Sequence, residues 1–93
     1  MFTDATRPTP DPEVLSSRLD DEIVLLHPNT QRYHTLNATG CFIWQRLEQG
    51  QTVREIRAAL EERYDVTPNQ AAQSLTDLLT NLHQERLITV ATP

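Results

Sequence analysis

The chain has 93 residues, 38% of them hydrophobic and 23% charged, with a net charge of −5 and one cysteine. That is enough for one small domain, not two, and such a domain buries about two-thirds of the surface its unfolded chain exposes. A lone Cys41 excludes an internal disulfide framework and a thiolate-rich metal site. The acidic balance, in which all eight basic residues are arginine, discourages nucleic acid and anionic membrane and favours a partner of positive charge.

Residues 1–13 hold three of the six prolines and read as a flexible tail. They lack the basic-then-apolar pattern of a signal peptide. No run approaches the roughly 20 apolar residues of a membrane span. A cytoplasmic location without a membrane partner is therefore expected.

Three short strands are predicted next: "VLSSRL" (14–19), "EIVLLH" (22–27) and "QRYHTL" (31–36). Asp20-Asp21 and Pro28-Asn29 are the turn residues between them, which makes an antiparallel meander. Three helices follow. Asn37 or Thr39 caps the first, and Gly50 ends it in the left-handed conformation. Thr52 to Glu55 and Thr67 to Gln70 are capping boxes, the second with Pro68 in the first turn. The second helix runs to about Tyr64 and the third to about Glu85, after which Leu87 and Ile88 form a short extended end and Pro93 closes a polar exit. The fold class expected is α+β of winged helix-turn-helix type, with a three-stranded antiparallel sheet before three helices in a domain spanning 14–90.

Chemistry is hard to find. Cys41 lies in an apolar helical stretch and reads as a small buried hydrophobe. His27, His34 and His83 have no metal-ligand spacing, and the two glycines make no phosphate loop. No catalytic group, metal or cofactor is expected. A helix-turn-helix order suggests DNA, but the third helix carries no Arg or Lys with which to meet phosphates.

The third strand is an edge unless something covers it. Arg32 is its one cation, and no Pro or Lys blunts it. An extended peptide could join it as a fourth strand; equally, the edge could pair with its own copy or stay wet.

The stretch "YHTLNATGCFIWQRLEQGQTVREIRAALEERYDV" resembles the PqqD-like family. Its pattern falls on Tyr33, Leu36-Asn37, Gly40, Ile43-Trp44, Leu47, Gly50, Thr52-Val53, Ile56, Leu60, Tyr64 and Val66. It continues through Leu75, Leu78-Leu79, Leu82 and Leu87-Ile88, so that it covers residues 14–88. The resemblance implies a non-catalytic recognition element for ribosomally made, post-translationally modified peptides. Such proteins bind the leader segment of a precursor as an added strand on the third strand, against the third helix. They then present the precursor to a modifying enzyme or leader peptidase. "RYHTLN" is most similar to the stand-alone members of lasso-peptide pathways; the alternative is a chaperone for quinone-cofactor or other radical-enzyme modification.

On that resemblance, Arg32, Tyr33, His34, Thr35 and Leu36 supply the strand side of the groove, with Tyr33 either a wall of the groove or plain core. Ala71, Ser74, Leu75, Asp77 and Leu78 supply the helix side, and Leu79 and Leu82 face the core, with the two stripes exchangeable by one step of helix rotation. Ile43 and Trp44 are assigned to the core. Two departures stand out. Ser74 replaces a frequent acid, which removes a leader-contacting salt bridge, and Arg86 replaces a frequent glycine, which implies a different helix exit.

Overall fold

The computed structural model describes residues 2–91; the polar exit at Pro93 lies outside them. Chain order is β1 (Arg7–Pro10), β2 (Leu15–Leu19), β3 (Glu22–His27), β4 (Arg32–Leu36), α1 (Ala38–Glu48), α2 (Val53–Arg63), α3 (Pro68–Gln84) and β5 (Ile88–Ala91). The expected strands and helices are present within a residue or two of their expected ends.

The helix boundaries follow from side-chain hydrogen bonds. Asn37, not Thr39, caps α1 by accepting the Gly40 amide at 2.9 Å. Thr52 and Thr67 cap α2 and α3 in complete capping boxes closed by Glu55 and Gln70. Each box satisfies amides that the first helical turn cannot satisfy internally.

Two sheets form, one of order β2-β3-β4 and one pairing β1 with β5. In the first, Leu36, Leu25 and Ile23 point inward and are nearly fully buried. They join Ile43, Trp44 and Leu47 of α1, Ile56 and Leu60 of α2, and Ala71, Leu75, Leu79 and Leu82 of α3 in one core. Cys41 is buried there, and burial raises its thiol pKa. Among the described residues no helix is long and apolar enough to cross a membrane.

The second sheet corrects the reading of residues 1–13 as a flexible tail. Arg7–Pro10 pairs antiparallel with Ile88–Ala91, and Thr6 and Pro8 are buried. Thr6 and Asp4 carbonyls accept the Val53 and Arg54 amides at 2.9 and 3.2 Å, which supplies partners for the first turn of α2. Arg57 of α2 pairs with Asp4 at 2.8 Å, and Phe2 packs edge-on to His83. Prolines are tolerated because β1 has a neighbour on one side only.

Arg86 gives a second correction. It takes φ +61°, the left-handed conformation a glycine would adopt, so the helix exit is not a different one. The Leu87 amide reaches the Leu82 carbonyl at 2.9 Å and the Arg86 amide reaches His83 at 3.1 Å. That is a Schellman closure, with Leu82 and Leu87 buried together.

Candidate functional site

β4 is an edge strand: among the described residues it pairs with β3 alone. Which of its backbone groups are free follows from the register. Leu19 and Glu22 close a two-residue hairpin and so form a mutually hydrogen-bonded pair. Alternating across β3, the hydrogen-bonded positions toward β4 are Ile23–Leu36, Leu25–His34 and His27–Arg32. Tyr33 and Thr35 therefore turn their N–H and C=O groups outward, to the open edge.

Side-chain direction follows the same two-residue period. Leu36 is buried against the helices, His34 is half-buried, and Arg32 lies on the same inner face. Tyr33 and Thr35 point the other way. The Tyr33 ring is 73% exposed on the outer face, level with Leu26 and Leu15. Tyr33 is thus neither core nor a wall of a groove against α3.

On α3 the stripes divide cleanly. Ala71 and Leu75 belong to the core stripe with Leu79 and Leu82, each at most 2% exposed. Placing Leu75 on the groove surface is corrected by this burial, and Leu36 likewise is floor and not lining. Ser74, Asp77 and Leu78, with Asn81, turn outward and meet Asn37, Thr39, Gly40 and Ile43 of the β4–α1 junction. Together they enclose a cleft of about 410 Å³. Behind Ser74 a smaller hollow of about 160 Å³ opens between Ala71, Thr39, Leu60, Tyr64, Val66 and Gln70.

The small residues make this space. A Cβ at Gly40 would sit 3.1 Å from Leu36 Cβ, a tight contact that would push the start of α1 and the end of β4 apart by a few tenths of an ångström. Sequence reasoning missed Asn37, Thr39, Gly40, Ile43 and Asn81 as lining. Their signal was the cap at Asn37, which ties the end of β4 to the start of α1 and brings that corner opposite α3.

At the far end of β4, Arg32 crosses to the C-terminus of α3. Its Nη1 donates to both Glu85 oxygens, at 3.1 and 3.3 Å. β4 and α3 thus run beside each other with a cleft at one end and an ion pair at the other.

Elsewhere, Asp11, Glu13 and His27 hold potential ligand atoms within 4.8 Å of one another. His27 Nδ1 accepts the Asn29 amide at 3.2 Å, which places the neutral ring's proton on Nε2. The Asn29 side chain donates to Glu13 at 2.8 Å. The group reads as a hydrogen-bonded corner that ties the β1–β2 loop to the end of β3.

Comparison with known proteins finds one family and similar solved structures. The profile of one family, described as coenzyme PQQ synthesis protein D (PqqD), matches residues 22–88. A solved structure, TbiB1 in complex with the TbiA(beta) leader peptide, is 34% identical with a TM-score of 0.85, and the match covers 91% of this chain and 99% of that one. Another, lasso peptide synthetase B1 complexed with the leader peptide, is 27% identical with a TM-score of 0.78, over 92% and 99% of the two chains. The comparison with curated proteins gives no match.

Proposed function

The chain belongs to the PqqD family, and from that premise we propose that it is a non-catalytic recognition protein for the leader segment of a ribosomally made precursor peptide. The leader joins the open edge of β4 as a fourth strand, where Tyr33 and Thr35 offer it backbone donors and acceptors. An apolar leader side chain enters the cleft between Ser74, Leu78 and Gly40. The protein then delivers the precursor to a processing enzyme, the leader peptidase of a lasso-peptide pathway. The observation that carries this reading is the unpaired edge of β4 beside that cleft, in a fold shared with two solved structures that are each a complex with a leader peptide. A second reading, recognition of a precursor for quinone-cofactor synthesis, draws on the description of the matching family. Neither reading gives the chain a nucleic-acid or membrane partner or a cofactor.

The test is a fluorescence titration with two labelled peptides, the TbiA(beta) leader and the leader bound by lasso peptide synthetase B1. Double-stranded DNA serves as a parallel control. Saturable peptide binding at micromolar strength, about −8 kcal/mol, is expected. Thr35→Pro removes only an outward N–H and should abolish binding with the fold intact. Undiminished binding by a folded Thr35→Pro protein would exclude strand addition at β4. Whether the lasso leader peptidase or a radical enzyme is retained by the loaded protein separates the two pathway readings.

A further inference from the structure

The contact between Arg32 and Glu85 is one-sided. A guanidinium has five N–H donors arranged as a fork, and its strongest carboxylate contacts use two nitrogens in parallel. Here a single nitrogen, Nη1, serves both carboxylate oxygens. Among the described residues Nε and Nη2 make no hydrogen bond, and the Arg32 side chain is 70% exposed. Glu85 therefore holds the guanidinium at the end of β4 away from the cleft while leaving its fork available.

This fork lies on the path of an added strand. Arg32 projects from the inner face of β4, the face shared by His34 and Leu36. A peptide strand on the open edge would send every second side chain to that face. The side chain level with Leu36 meets the cleft, and the one level with Arg32 meets the fork. The two are about four residues apart on the peptide, roughly 13 Å at strand spacing.

We propose that Arg32 is a specificity-determining residue that selects an acidic side chain in the bound peptide. That side chain stands about four residues from the apolar one in the cleft. The selection adds a requirement for an acid at one end of a site whose cleft carries a single charged side chain, Asp77, and it rests on strand addition to β4 as proposed above.

The experiment pans a library of short random peptides on the full chain. An enriched peptide and its acid-to-amide version are then titrated against the wild-type protein and Arg32→Gln. An exposed ion pair contributes little to stability, so the variant should fold normally. Enrichment of Asp or Glu about four residues from a large apolar residue is expected, with roughly fivefold weaker binding of the amide version to wild type and no difference on Arg32→Gln. An equal acid-to-amide ratio on both proteins would overturn the proposal. So would peptides that need Thr35 unsubstituted yet show no acidic preference, and that outcome leaves strand addition standing. Failure to enrich any peptide overturns the recognition reading itself, and this selection with it.

Discussion

Arg86 stands after α3 where Gly50 stands after α1. Both are left-handed, at φ +61° and +77°, and both are followed by an amide that reaches back five residues, Leu87 to Leu82 and Gln51 to Arg46. The two exits share one geometry, but only one uses the residue without a steric penalty.

Arg86→Gly should therefore stabilise the protein. Left-handed backbone costs a residue with a Cβ about 1–2 kcal/mol, and the greater freedom of an unfolded glycine returns part of it. A net gain of roughly 0.5–1 kcal/mol corresponds to a rise in Tm of about 2–8 °C for a domain of this size. A thermal melt decides it, and a fall in Tm would show that the Arg86 side chain does more than tolerate its place.

Adjacent positions on α3 should separate fold from binding. Leu75 is 1% exposed, so Leu75→Ala should cost about 2–5 kcal/mol in a urea titration. Ser74 is exposed and borders the cleft. Ser74→Trp should leave stability unchanged and weaken peptide binding by about tenfold or more, or 1.4 kcal/mol, by filling that space. If Ser74→Trp binds peptide like wild type, the cleft does not hold the peptide.

Removing residues 2–10 should destabilise the domain. It uncovers the Val53 and Arg54 amides and leaves β5 without its partner. Two lost backbone hydrogen bonds alone are worth about 2 kcal/mol, before any loss of burial at Thr6 and Pro8. Equilibrium unfolding of the full and shortened chains measures this directly; equal stabilities would return the segment to the status of a tail.

Acid should loosen the same region. Its hydrogen bond to Arg57 holds the Asp4 carboxyl below its ordinary 3.8, and the backbone of Thr52 holds Glu55 below 4.5. Both groups ionise more readily in the folded state, so their contribution is present above those values and is lost as pH falls through the lowered ones. The Tm difference between wild type and Asp4→Asn should be open at neutral pH, close as pH falls below 3.8 and through the lowered value, and shrink in high salt because both carboxylates face solvent.

Local chemistry made most of the fold legible. Thr52, Thr67 and Gly50 each announce a helix end through a hydrogen-bonding or conformational property that does not depend on the rest of the chain. β1 was not legible, because Pro8 and Pro10 carry the signature of a linker and only the distant partner β5 makes them a strand. The stripes of α3 were ambiguous for a related reason. Leu75 and Leu78 are both apolar, three residues apart, and only the way α2 and β5 pack on α3 decides which is buried. The orientation of Tyr33 was available in principle. It lies three positions before Leu36, an odd step that puts the two on opposite faces of a strand.

Pairing of Arg7 with Ala91 has a consequence for engineering. Antiparallel partners lie about 5 Å apart at their Cα atoms, so the chain enters and leaves this domain through neighbouring points. The edge of β4 belongs to the other sheet. A unit with doorways side by side can be spliced into a surface loop of a host enzyme without stretching it, turning that enzyme into one that carries its own docking port.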